Sequence, residues 1–167
     1  MNPKVFYGIV LLLIVSCSHH TTKENLIMKN SENPRFKVEK SEEEWKAELS
    51  PENYQVLRQA GTERPFTGKY NLHFEKGIYT CGECNEPLFS SDSKFEAHCG
   101  WPSFDKEMEA GKIIEKTDAS FGMTRTEILC GSCGSHLGHV FDDGPTETGL
   151  RYCVNSLSLN FEEETEE

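Results

Sequence analysis

Apolar positions fall into three regimes along the chain. Val5 to Val15 is an apolar run of about eleven residues, broken only by Gly8 and preceded by Lys4. A helix of that length cannot span a bilayer, which needs about 20 apolar residues, but the run has the make-up of an export-signal h-region. Residues 18–40 are polar, dominated by Ser, His, Thr, Lys, Glu and Asn, and show no helical or strand period. That stretch reads as a tether. From Ser41 onward a period appears. Ser41-Glu42-Glu43-Glu44 is a capping box with acidic residues in the first turn, where the helix dipole favours them. Trp45 and Leu49 follow four apart, and Ser50-Pro51 offers a second cap with proline in the first helical position. Tyr54, Val56 and Leu57 carry an apolar face, and Gly61 supplies a stop. The pattern predicts a short helical hairpin over about 41–60.

Beyond it, Gly, Pro, Asn and Asp punctuate short apolar stretches. Ile78-Tyr79-Thr80-Cys81, Ile113-Ile114, Ile128-Leu129-Cys130, His139-Val140-Phe141 and Tyr152-Cys153-Val154 read as strands. Strands do not alternate with long helices, which argues against a parallel α/β sheet. The expected fold class is mainly β and antiparallel, with the helical hairpin at its N-terminal edge. Phe161 is followed by Glu162-Glu163-Glu164-Thr165-Glu166-Glu167, an acidic tail expected to be solvated. The expected organisation is a signal segment over 1–17, a linker over 18–40, a folded domain over 41–161 and a tail over 162–167.

Composition narrows the function classes. The chain has 167 residues, about one domain's worth with a single core. Its formal net charge is −11. Phosphate binding needs a clustered basic face, so a nucleic-acid partner is not expected, and the charge serves solubility. Seven cysteines stand at positions 17, 81, 84, 99, 130, 133 and 153. Leu13-Ile14-Val15-Ser16-Cys17 resembles a bacterial lipobox, in which the cysteine is lipidated and becomes the new N-terminus; a plain signal peptide with an incidental cysteine is the alternative. A chain anchored at Cys17 would be an exported, membrane-anchored lipoprotein on the periplasmic or cell-surface side. It would meet the membrane only through that anchor, and its other six cysteines would lie where disulfides are permitted.

Cys81-Gly82-Glu83-Cys84 and Cys130-Gly131-Ser132-Cys133 are two knuckles, each holding two sulfurs on one turn that glycine allows. Brought together, they make the four-sulfur set that Zn²⁺ prefers. A structural Zn²⁺ is the favoured reading; two disulfides in an exported compartment, or a thioredoxin-like redox pair without its βαβ surround, are the alternatives. Cys99 and Cys153 remain, 54 positions apart, and spacing alone leaves a permanent disulfide and a reactive thiol equally open. The reactive reading gains from His136 and His139, which titrate near neutral pH and precede Asp142-Asp143-Gly144, and from Trp101, since aromatic faces attract methyl groups borne on sulfur.

Five motifs together carry a resemblance. They are Cys-Gly-Glu-Cys at 81–84, Cys-Gly-Trp-Pro-Ser-Phe at 99–104, Cys-Gly-Ser-Cys at 130–133, His-Leu-Gly-His-Val-Phe-Asp-Asp-Gly at 136–144 and Arg-Tyr-Cys-Val-Asn-Ser at 151–156. Arg64-Pro65-Phe66-Thr67-Gly68-Lys69-Tyr70 adds to them. Over residues 45–161 the chain resembles the type B methionine sulfoxide reductases, specific for the R epimer at sulfur; Leu157 and Asn160 depart from the family's usual tail. The resemblance implies two antiparallel sheets and a catalytic domain over 41–161. It implies Cys153 as nucleophile, Cys99 as resolving cysteine, and Cys81, Cys84, Cys130 and Cys133 as ligands of a structural Zn²⁺. Trp101 would wall the methyl pocket, His136 and His139 would manage the proton, and Asn155, Asp143 and Arg151 would bind or support substrate. The partners implied are oxidised methionine in proteins or peptides and a thioredoxin-like reductant, and a monomer is expected. The rivals are a non-catalytic exported lipoprotein knitted by zinc or disulfides, and a different thiol oxidoreductase such as a disulfide exchanger.

Overall fold

The computed structural model describes residues 36–165. The signal segment, the lipobox at Cys17, most of the expected linker and the last two residues of the tail lie outside them. Helix α1 (Glu42–Glu48) is opened by the capping box: Ser41 Oγ accepts from Glu44 N–H, and the Glu44 carboxylate accepts from Ser41 N–H. Helix α2 (Pro51–Leu57) is capped by Ser50. Its stop comes at Ala60, which holds the left-handed conformation (φ 52) expected of Gly61. The hairpin buries Trp45, Val56 and Leu57. Arg58, just past α2, lies over the Trp45 ring, donates to the Cys133 carbonyl at 3.4 Å and pairs with Glu83 at 3.9 Å. The hairpin is thereby fixed to both cysteine knuckles.

Nine strands follow: β1 (Gly77–Cys81), β2 (Pro87–Ser90), β3 (Lys94–Phe95), β4 (Ser103–Phe104), β5 (Ile113–Asp118), β6 (Arg125–Cys130), β7 (His136–Phe141), β8 (Arg151–Val154) and β9 (Leu159–Glu163). They form two sheets, in the orders β2-β1-β9 and β3-β4-β8-β7-β6-β5, with every pairing antiparallel. Residues of both sheets share one core. Tyr79, Leu88, Phe89 and Leu159 come from the first, and Phe104, Ile128, Leu137 and Val154 from the second. Phe89 and Phe104 stack across the sheets at 4.3 Å. Each aromatic ring removes a large apolar area from water, which makes a core of this kind the main favourable term in a domain this small.

Two boundaries differ from the sequence reading. Residues 36–40, assigned to the tether, belong to the domain: Val38 N–H donates to Ser132 O at 3.0 Å and its side chain packs on the core. Glu162 and Glu163, assigned to the tail, complete β9 by pairing with Ile78 and Gly77. Backbone pairing needs no apolar side chain, so the acidic run did not reveal it. Among the described residues no helix is long and apolar enough to cross a membrane.

Candidate active site and metal cluster

Cys153 sits in β8, a central strand of the larger sheet. Directly opposite it stand Ser103 of β4 on one side and His139 of β7 on the other. Glu127 of β6 faces His139 in turn. Antiparallel partners point to the same face of a sheet, so the pairing register alone sets a thiol between a hydroxyl and an imidazole. Gly138 makes the close approach of β7 and β8 feasible. A Cβ there would stand 2.0 Å from the Cys153 carbonyl oxygen.

His136 and His139 are three apart, which on a regular strand would send them to opposite faces. The pairing of β6 with β7 slips between Ile128 and Leu129. This irregularity re-aims the chain, as bulges beside functional sites do, and the two imidazole rings end 5.6 Å apart. Each has a carboxylate partner. His136 Nδ1 lies 2.8 Å from Glu127 Oε1, and His139 Nε2 lies 2.9 Å from Asp118 Oδ2. They differ in access. His139 lines a hollow with Cys153, whereas His136 is 3% exposed, and burial lowers its pKa and favours the neutral ring.

That hollow has a volume of about 110 Å³ and is walled by Trp101, His139, Phe141, Cys153 and Asn155, with Thr62 and Arg125 at its rim. At about 30 Å³ per water molecule it has room for roughly four small heavy atoms. The Trp101 indole donates to Glu63 O at 3.2 Å. Asn155 is locked by donating to Leu137 O and accepting from Glu63 N–H. The Glu63 carboxylate accepts in turn from Ser156 and Leu157 N–H.

Cys99 reaches the same place from the turn before β4. Its Sγ lies 3.8 Å from Cys153 Sγ and 3.5 Å from Ser103 Oγ. Both cysteines are unbonded thiols in this structure. The pair releases its first proton readily and holds its second. Hydrogen bonds, from Cys153 first and then Ser103, bring Cys99 down to about 5, with help from the positive charge of Arg151 and against the effect of burial. The hydrogen bond with Cys99 and burial push Cys153 upward. The two thiols therefore share one proton, and with it one negative charge, across the Cys99–Cys153 hydrogen bond. Asp143 and Arg151 do not line the hollow. Asp143 clamps Arg151 through two bonds of 2.8 and 2.9 Å, and Arg151 acts on the sulfurs through its charge.

Cys81, Cys84, Cys130 and Cys133 form the second sulfur group. Their knuckles share one hydrogen-bond pattern. In each, the first cysteine's carbonyl accepts from the residue four ahead (Asn85 or Gly134), and its N–H donates to the residue five ahead (Glu86 or Ser135). The left-handed residues are Asn85 (φ 58) and Gly134 (φ 74), one past each pair, and not the glycines inside the pairs. The four sulfurs lie within 4.8 Å of one another, with Cys81–Cys133 at 3.7 Å and Cys84–Cys130 at 3.6 Å. Sulfurs about 2.3 Å from a tetrahedral Zn²⁺ lie about 3.8 Å apart, so donor set and spacing both fit that ion. Cys81 ends β1 of one sheet and Cys130 ends β6 of the other, so an ion there would join the two sheets.

Residues 49–163 match the SelR domain. A peptide methionine sulfoxide reductase MsrB from Methanosarcina barkeri is 59% identical over 129 residues, 77% of this chain and 91% of the relative. The protein of the same name from Agrobacterium fabrum is 56% identical over 126 residues, 75% of this chain and 93% of its own length. That from Leptospira interrogans is 55% identical over 129 residues, 77% of this chain and 98% of its own. The chain belongs to the MsrB family.

Within this MsrB domain the sequence reading had not singled out Glu63, Asp118, Arg125 and Glu127. Each acts on the site through a partner remote in sequence: Glu63 through Trp101 and Asn155, Asp118 and Arg125 beside His139, and Glu127 through His136. Asp118 accepts from Ser120 N–H at 2.9 Å, Arg125 at 2.6 Å and His139. These bonds, those of Ser120 foremost, hold its carboxyl well below the usual carboxylate range. The only signal for these residues in the chain is their carboxylate or guanidinium chemistry next to family motifs, which by itself distinguishes them from surface charges poorly.

Proposed function

We propose that this protein reduces the R epimer of methionine sulfoxide in oxidised proteins to methionine, with Cys153 attacking the sulfoxide sulfur. The observation that carries the reading is the juxtaposition of Cys153 and Cys99, 3.8 Å apart, at a small hollow walled by Trp101 and His139. The hollow's volume suits a C–S(=O)–C group of four heavy atoms. As the shared proton settles on Cys99, Cys153 attacks the substrate sulfur and forms an S–S bond to it. His139 protonates the sulfoxide oxygen as the S=O bond breaks. The hydroxyl passes to Cys153 Sγ as the S–S bond breaks, so methionine leaves and Cys153 is left as a sulfenic acid. The Cys99 thiol condenses with it, forming the Cys99–Cys153 disulfide and releasing water. A thioredoxin-like dithiol then reduces the disulfide and is itself oxidised.

The methyl group against Trp101 and the oxygen toward His139 leave one hand of the sulfoxide able to present its sulfur to Cys153. Cys81, Cys84, Cys130 and Cys133 would hold a structural Zn²⁺, whose contribution is folding free energy; no chemical step runs through it. The lipobox pattern supports export with an anchor at Cys17. Separate assays of the R and S epimers of a blocked methionine sulfoxide, with dithiothreitol as reductant, test the reading. Reduction of R alone is the expected result; reduction of S alone, or of neither, sinks it.

A further inference from the structure

Beside the hollow of the site lies a larger one of about 400 Å³, lined by Ala60, Thr62, Lys116, Phe121, Arg125 and His139. Thr62, Arg125 and His139 border both, so the two are continuous. Two ion pairs stand in its wall, Lys116 with Glu127 at 3.4 Å and Arg125 with Asp118 at 2.6 Å, and His139 Nε2 lies 2.9 Å from Asp118 Oδ2. Ala60 and the Phe121 ring are its apolar surface, and Arg125 Nε and His136 Nε2 are buried without a hydrogen-bond partner. At its rim is the turn Ser120–Gly122 between β5 and β6. Phe121 is 90% exposed on that turn and Met123 is 52% exposed beside it. Phe121 also holds a left-handed backbone (φ 55). A bulky residue kept there is strained, and nothing in the core uses its ring. Asp118 ties the turn to the site, accepting from Ser120 and from His139.

We infer that this groove binds an apolar side chain adjacent in sequence to the oxidised methionine, with Phe121 as the surface it packs on. The inference rests on the function proposed above. A methionine sulfoxide whose head fills the small hollow must leave its main chain at the rim, where the larger hollow begins. A neighbouring residue then has a space that ends on an exposed aromatic. A charged neighbour would lose water there and meet Lys116–Glu127 and Arg125–Asp118 ion pairs that are already closed.

The test uses Phe121→Asn, since asparagine accepts a left-handed backbone and is polar. Two short peptides carry methionine R-sulfoxide, one flanked by leucines and one by serines, with blocked methionine R-sulfoxide as reference and dithiothreitol as electron source. Wild type is expected to favour the leucine peptide about tenfold in kcat/KM, through KM, in line with burying part of an apolar side chain. Phe121→Asn is expected to bring the two peptides within about twofold of each other. Equal use of both peptides by wild type overturns the inference, as does an undiminished preference in the variant. A defect in the variant that appears only with a protein reductant makes the groove the reductant's seat and also overturns it. If wild type reduces the blocked reference but ignores flanking residues, only the inference fails. If it reduces none of the three, the function proposed above fails and the inference falls with it.

Discussion

The four-cysteine cluster and the Cys99–Cys153 pair hold sulfurs at nearly equal separations, 3.6 and 3.7 Å in the first and 3.8 Å in the second. Separation therefore does not divide the candidate metal cluster from the thiol pair. Number and surroundings do. Cys81, Cys130 and Cys133 are fully buried on turns of matching geometry, and four sulfurs close a tetrahedron with no position left open. Cys99 and Cys153 are half-buried beside a hollow, with one hydroxyl, one imidazole and one guanidinium in reach. Two sulfurs cannot complete a metal's coordination shell, but they can share a proton and exchange it for a bond.

The widest way to break this comparison is to replace one sulfur in each group. Cys153→Ser is expected to lower reductase activity at least about a thousandfold, since the attacking group itself is removed, with the melting temperature nearly unchanged. Cys81→Ser is expected to lose bound zinc and on the order of 3 kcal/mol of stability, because metal-binding free energy is folding free energy. That corresponds to a fall of about 10 °C in melting temperature for a domain of this size. Metal content, melting curves and turnover of the folded fraction check both variants. An active Cys153→Ser protein, or a Cys81→Ser protein with full zinc, would erase the division. Next in size, Cys99→Ser should give a burst of about one methionine per enzyme with a thioredoxin-type donor and then stop, because the sulfenic acid loses the partner that resolves it. Steady turnover with that donor would remove Cys99 from the cycle.

The same contrast explains what the sequence made legible. Both knuckles, both helix caps and the strands around Cys81, Ile113, Cys130, Val140 and Cys153 could be read because each is local: a turn, a cap or an apolar stretch carries its own signal. The residues that position the site could not. Glu127 faces His139, and Asp118 reaches it, only because β5, β6 and β7 pair in one register, and the slip between Ile128 and Leu129 brings His136 and His139 to the same side. Glu63 reaches Asn155, Ser156 and Leu157 across more than 90 positions. The proton shared by the thiol pair was illegible for the same reason: it depends on Ser103 and Cys153 meeting Cys99 in space. Phe36 and Val38 looked like part of a polar tether because two apolar residues in a short stretch show no period, yet Val38 finds its partner at the second knuckle.

The smallest expected effect belongs to Ser103→Ala, and it bears on how the thiol pair holds its charge. Ser103 is fully buried, opposite Cys153 in the sheet, with its hydroxyl 3.5 Å from Cys99 Sγ. The wild-type pair should develop one thiolate, followed by its ultraviolet absorbance, with a midpoint near 5. Because the folded value lies below the ordinary thiol value of 9.0, the folded state binds fewer protons than the unfolded state between those limits. Stability from Cys99 is therefore present in full above the ordinary thiol value, and is lost as pH falls through about 5. Cys153, pushed upward, acts in the opposite sense, and its contribution is lost as pH rises above the ordinary range. Melting temperature should thus climb from pH 5 toward 9, as far as this pair governs it. Ser103→Ala removes one donor to the thiolate, though not Cys153, which contributes more. The thiolate midpoint should move up, the climb in melting temperature should shrink, and turnover should fall only a few-fold, about what one ordinary net hydrogen bond supplies at this long 3.5 Å separation. An unmoved midpoint would show that Cys153 and the Arg151 charge hold the thiolate without the hydroxyl. A midpoint that instead falls would mean that the charge rests on Cys153, with the proton on Cys99 before the attack begins.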